Sequence, residues 1–101
     1  MKLYICGPMA GYPDLNAAQF KLVQVELEKR GYETVNPHDV QPIGEDYLPP
    51  AVAYIRGDLV ELLRCQGVAT IGNTHCSWGA SIEIDLAHKV MIPVRPYELW
   101  T

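Results

Sequence analysis

Gly67-Val-Ala-Thr-Ile-Gly72 is the stretch that decides the fold: a short run, apolar on both faces, with a glycine at each end. A strand with one wet face alternates polar and apolar residues, whereas a strand covered on both faces reads as a continuous apolar run. This stretch therefore predicts a central strand of a parallel sheet. Immediately upstream, Ala51 to Arg64 carries Val52, Ile55, Leu59, Leu62 and Leu63 at helical spacing, and Pro50 is acceptable as a first helical residue. Gly57 costs that helix up to about 1 kcal/mol relative to alanine, which points to a close approach there. Downstream, Ala80 to Lys89 predicts another helix, and Val90-Met-Ile-Pro-Val94 predicts a strand with Pro93 at its exit.

Toward the N-terminus the same alternation repeats. Lys2 to Cys6 is a strand closed by Gly7-Pro8, and Gly7 to Pro13 is a loop. A helix follows with Phe20, Val23 and Leu27 on one face, capped by Asp14 or Asn16 and ended by Gly31 after Lys29-Arg30. Tyr32 to Asn36 is a strand stopped by Pro37, and residues 37–50 form a longer polar connection. The tail Arg95 to Thr101 is too short for another helix. The order βαβαβαβ predicts one domain over residues 1–101, an open doubly wound α/β parallel sheet of Rossmann or flavodoxin type with right-handed crossovers. Ligands of such sheets bind beyond the carboxyl ends of the strands, here at loops 7–13, 37–50 and 73–79.

The chain has 101 residues, with 8 Lys+Arg against 12 Asp+Glu and a net charge of −4. Its basic residues are scattered, which argues against a nucleic-acid polymer as partner, since such binding rests on clustered positive charge. A mononucleotide is not excluded, because backbone N–H groups can hold a single phosphate. A domain this small has little stability to spare, so a homo-oligomer, a dimer, is expected. Cys6, Cys65 and Cys76 show no CxxC spacing, nothing resembles a signal peptide, and no apolar run approaches a membrane span. Free thiols in a reducing cytoplasm are expected. His75-Cys76 with Cys6 and Cys65 lacks the paired short spacing of a metal site, so neither metal nor cofactor is expected.

Ser77-Trp-Gly-Ala-Ser-Ile-Glu83 follows the central strand and opens a helix. Helix N-termini bind anions through free N–H groups, Gly79 lets an anion come close, and the hydroxyls of Ser77 and Ser81 add donors. Glu83 falls near the first turn, facing the crevice; an acid there also serves simply to complement the helix dipole. Asp58 lies beside the apolar stripe of the preceding helix, where an acid is often a solvated edge. Both carboxylates nevertheless flank one crevice, and two carboxyls at one ligand can divide nucleophile and proton-transfer roles. Tyr4 and Cys6 share a strand face and read as core, while Met9 and Tyr12 have no core to fill and suit stacking on a planar base. His38-Asp39 has no nucleophile near it and reads as a polar loop.

Leu3-Tyr-Ile-Cys-Gly-Pro-Met-Ala-Gly11, Val35-Asn-Pro37, Asp58-Leu59 and Ser77-Trp-Gly-Ala-Ser-Ile-Glu-Ile-Asp-Leu-Ala87 together resemble the DUF4406 family. That family looks like a branch of the nucleoside 2-deoxyribosyltransferase superfamily, which includes 2′-deoxynucleoside 5′-monophosphate N-glycosidases. The resemblance spans residues 3–94 and implies Glu83 as nucleophile and Asp58 as the acid that protonates or positions the departing base. It also implies that the first loop, Gly7 to Gly11, lines the base and sugar. With Cys6 at the end of the first strand, Met9 and Tyr12 for stacking and the Ser77, Gly79 and Ser81 anion site, these make the expected substrate site. Ser77 stands where nucleoside transferases carry an aspartate, which favours a phosphorylated substrate. The chain differs from the superfamily pattern at Gln66 and over Ile71 to Cys76, where relatives carry an acid and a Leu-Pro-Gly-Trp-like segment. The short tail suggests that a second subunit supplies part of the site wall.

The expected function is cleavage of the N-glycosidic bond of a 2′-deoxynucleoside 5′-monophosphate or nucleoside, through a glycosyl-glutamate. The alternative is a non-catalytic nucleotide-binding module using the same crevice. A phosphoribohydrolase of the lysine-decarboxylase-like group ranks behind both, because its Pro-Gly-Gly-x-Gly-Thr motif is absent.

Overall fold

The computed structural model describes every residue except Cys76, so the sequence-level readings that involve that thiol lie outside the described residues. Four strands, β1 (Lys2–Cys6), β2 (Glu33–Val35), β3 (Gly67–Thr70) and β4 (Val94–Pro96), form one parallel sheet in the order β2-β1-β3-β4. β1 and β3 lie side by side at the centre, with Tyr4 opposite Val68 and Cys6 opposite Thr70. Leu3, Tyr4, Ile5, Cys6, Val68 and Ala69 are completely buried, which is why neither strand alternates.

Three helices join the strands: α1 (Ala17–Lys29), α2 (Pro50–Leu63) and α3 (Trp78–Lys89). Phe20, Val23 and Leu27 of α1 pack on Leu3, Ile5, Ala69 and Ile71 on one face of the sheet. On the other face Tyr4, Cys6 and Val68 meet Leu62 and Cys65 with Ala80 and Ala87 of α3. The result is the doubly wound α/β sandwich that the element order predicts. Among the described residues no helix is long and apolar enough to cross a membrane.

Several boundaries differ from expectation. The last strand starts at Val94 and not at Val90, because Val90 to Ile92 wrap the end of α3. Ile92 N–H donates to Ala87 O at 2.8 Å, and Met91 takes the left-handed conformation, φ 62°. That turn usually carries glycine, so a methionine there hides the helix end. Pro93 consequently precedes β4. Tyr32 belongs to the turn that closes α1, its N–H donating to Leu27 O, so β2 begins at Glu33. The helix predicted from Ala80 already begins at Trp78. Neither Asp14 nor Asn16 caps α1 through its side chain; Asp14, Leu15 and Asn16 form a left-handed turn, and the Asn16 amide donates to Pro8 O. Leu63, assigned to the buried stripe of α2, is exposed.

Gly57 is a contact point. A Cβ built there would lie 2.2 Å from the carbonyl oxygen of Gln41, so the 37–50 connection is laid directly on α2. Gly57→Ala is therefore expected to destabilise by about 1–3 kcal/mol, despite alanine's better helix propensity, because a backbone carbonyl must move. Urea denaturation checks this; an unchanged or higher midpoint contradicts it.

The C-terminal tail contributes more than its length suggests. A 3₁₀ turn at Tyr97–Leu99 delivers Trp100 into the core on the α1 face, with 3% of its surface exposed. Its indole N–H is shared between Val68 O at 3.1 Å and Arg95 O at 3.2 Å. Arg30 donates to Tyr97 O and Trp100 O, and the Arg95 guanidinium lies over the indole ring.

Candidate functional site

Beyond the carboxyl edge of the sheet lies a cavity of about 450 Å³. Its walls are the loop after β1 (Gly7, Met9, Ala10, Leu15), the turn after β2 (Pro37, His38), the first half of α2 (Ala51, Tyr54, Ile55, Asp58) and the start of α3 (Ser77 to Ala80, and Glu83). This is the crevice that the topology predicts. A second cavity of about 500 Å³ runs along the free edge of β2, but polar groups in its wall already bond one another: Asn36 to Gln24, Gln24 to Thr34, Arg64 to Glu61. Among the described residues, the buried side-chain atoms without a hydrogen-bond partner are His38 Nε2 and Asp58 Oδ1. Both residues line the first cavity. Buried polar atoms are normally paired, so two orphans on residues that line one hollow single it out as the candidate ligand site.

Glu83 lies one turn into α3, on the inward face between Ala80 and Ala87, and is 4% exposed. Tyr4 and Cys6 reach it from β1, because residues two apart on a strand share a face. The Tyr4 hydroxyl donates to Oε2, and the Cys6 thiol donates to Oε1 at 3.5 Å. Burial pushes the Glu83 carboxyl up to about 8, and the negative charge of Asp58 adds to the rise, while the two donors pull it down. Burial likewise raises Asp58 to about 7. Beside these acids the Tyr4 phenol and Cys6 thiol are raised well above their ordinary values, first by burial and then by Glu83, so both stay protonated and act as donors. The two carboxyls form an interacting pair whose titrations are coupled, and they differ in their partners: Glu83 has two donors, Asp58 Oδ1 has none.

Ser77 is the N-cap of α3, its Oγ accepting the Ala80 N–H at 3.3 Å, and it lines the cavity with its hydroxyl hydrogen still available. A Cβ on Gly79 would meet only Ile55 Cδ1 at 3.7 Å. Packing thus does not require glycine there, and its absence of a side chain leaves the helix N-terminus bare toward the cavity. No lysine or arginine lines the cavity among the described residues, so an anion there would depend on this helix end.

The structure brings together Asp58, Glu83, Gly7, Met9, Ser77 and Gly79 of the residues singled out from sequence. The others lie elsewhere. Cys6 is fully buried beneath Glu83 and is not in the cavity wall. Gly11 and Tyr12 belong to a turn outside the cavity wall, with Tyr12 exposed. Ser81 is exposed and its hydroxyl donates back to Trp78 O at 3.0 Å, because it faces outward one turn along α3. Sequence reasoning also passed over His38, Tyr54 and Trp78. The signal for His38 was its place after β2, at the carboxyl edge; Asn36 fixes that turn by accepting the His38 N–H, and Phe20 packs edge-on against the ring.

Fold and site together define a small Rossmann-like α/β protein with a crevice bearing Asp58 and Glu83 at the carboxyl edge of a four-stranded parallel sheet. Residues 1–95 match the family described as Domain of unknown function (DUF4406), and the chain belongs to that family. No curated protein matches it.

Proposed function

We propose that this protein cleaves the N-glycosidic bond of a 2′-deoxynucleoside or its 5′-monophosphate, in the manner of the nucleoside 2-deoxyribosyltransferase superfamily that its motifs resemble. One observation carries the reading: two carboxyls face one cavity, Glu83 held by two donors and Asp58 by none. In this mechanism a Glu83 oxygen attacks the anomeric carbon. The carbon–nitrogen bond breaks, its electron pair passes to the base, and Asp58 supplies the proton. Water then attacks the same carbon and gives a proton to Asp58, the ester bond breaks, and Glu83 returns as carboxylate with the sugar released. A second base in place of water gives transfer. Dividing the displacement into two steps lowers the barrier of each, and acid help on the base contributes about 10²–10⁴ in rate. Met9, Tyr54 and Trp78 supply flat and apolar surface for a base, and the Ser77–Gly79 helix start receives a 5′-phosphate where one is present.

The test is incubation with the common 2′-deoxynucleosides and their 5′-monophosphates, following free base by chromatography. Base release from at least one supports the reading; binding by calorimetry with no release supports a non-catalytic nucleotide-binding module instead. The kcat/KM profile is expected to be bell-shaped around neutral pH. Below the maximum Glu83 is protonated and cannot attack; above it Asp58 has no proton to give, and the two limbs belong to the pair. Asp58→Asn is expected to lose the alkaline limb while keeping the acid one. A variant profile with both limbs intact contradicts this assignment.

A further inference from the structure

We infer that Cys6 is a positioning residue for Glu83, its thiol proton pointing to the carboxylate when Glu83 is ionised and to the Ala80 carbonyl when it is not. The inference rests on the reading of Glu83 as nucleophile, but the contact itself can be measured without turnover.

The geometry is specific. Cys6 is completely buried on the last position of β1, out of reach of a ligand in the cavity. Its sulfur has two acceptors from α3, Glu83 Oε1 at 3.5 Å and Ala80 O at 3.8 Å. A thiol has one proton and rotates freely about its Cβ–Sγ bond, so it serves one acceptor at a time. An ionised carboxylate outcompetes a neutral carbonyl; a protonated carboxyl does not. Tyr4 occupies Oε2, so Cys6 fixes the other oxygen and thereby the rotation of the carboxylate plane. Because S–H is a weak donor, it orients the oxygen with less loss of nucleophilicity than a hydroxyl causes. The groups facing Glu83 are Tyr4 and Cys6 from β1 and Asp58 from α2, with His38 also in the wall of the cavity.

Two experiments test this. In Cys6→Ala the acid limb of kcat/KM is expected to move up by about half a pH unit, the size of a weak hydrogen bond to a charge. With it kcat falls about tenfold at unchanged KM, because attack and not binding depends on the carboxylate's orientation. Cys6→Ser, which keeps a donor, returns the limb to the wild-type pH or below. A wild-type profile in Cys6→Ala, or equal losses in the alanine and serine variants, overturns the inference. The infrared S–H stretch of the wild-type protein needs no variant at Cys6. One S–H band is expected to shift to lower frequency as Glu83 ionises, and to stay in place over the same pH range in Glu83→Gln. No pH-dependent S–H band overturns the inference, whether or not the protein releases base. A shifting band with no base release from any nucleoside leaves the contact standing and removes the catalytic reading instead.

Discussion

Glu83→Gln is expected to lower base release by about 10⁴-fold or more, because the amide cannot attack and residues that act as a unit fail together. The same substitution is expected to leave the fold intact, since the amide oxygen accepts from Tyr4 or Cys6 and the amide NH2 donates to the oxygen or sulfur of the other. Its effect on stability has a definite sign. Burial raises the folded carboxyl from 4.5 to about 8, so the fold disfavours the ionised form. The stability contributed by the neutral form is fully present below the unfolded value and is lost as pH rises through the folded one. Glu83→Gln should therefore melt above the wild type at pH 9, with the gain shrinking toward pH 5. Thermal melts across that range, with base release on the same samples, read both effects. A protein that loses activity and also unfolds at neutral pH would mean that Glu83 supports the core and not the chemistry.

Trp100→Ala is expected to cost about 3–5 kcal/mol, the range for truncating a buried aromatic. Against a total stability of about 5–15 kcal/mol for a domain, that leaves the fold marginal at best. The loss has three physical parts: the cavity opened beside Leu3 and Ala69, the indole hydrogen bond shared by the Val68 and Arg95 carbonyls, and the stacking surface of Arg95. Chemical denaturation of the variant measures it; a loss under about 1 kcal/mol contradicts the placement of the indole in the core. Phenylalanine in its place should recover part of the packing and none of the hydrogen bonds.

The fold was largely legible because its signals are local. Two central strands read as unbroken apolar runs, α1 showed Phe20, Val23 and Leu27 at helical spacing, and Gly57 marked a contact before its partner was known. Trp100 was not legible, for the opposite reason. Its place is made by Gly67, where a Cβ would lie 2.5 Å from the indole, and nothing in a seven-residue tail announces a partner across the sheet. The end of α3 was missed because Met91 takes a conformation that glycine usually advertises. In the site, Glu83 and Asp58 could be paired from topology alone, since both helices border the switch point of the sheet. The side a residue faces within a loop or a helix turn could not be read so well. That is why Cys6 lies beneath the carboxylate and Ser81 and Tyr12 face outward, while His38, set aside as an ordinary loop residue, has a buried nitrogen with no partner in the cavity. Spacing gives the element and its edge; it does not give the rotation of a turn.

The most direct measurement is mass spectrometry of the protein quenched during turnover of a deoxynucleoside or deoxynucleotide that it cleaves. The account predicts a peptide containing Glu83 heavier by one deoxyribosyl group, or deoxyribosyl phosphate for a nucleotide, and no such species in Glu83→Gln. Base released at full rate with the sugar never found on Glu83, or found on another residue, would contradict it.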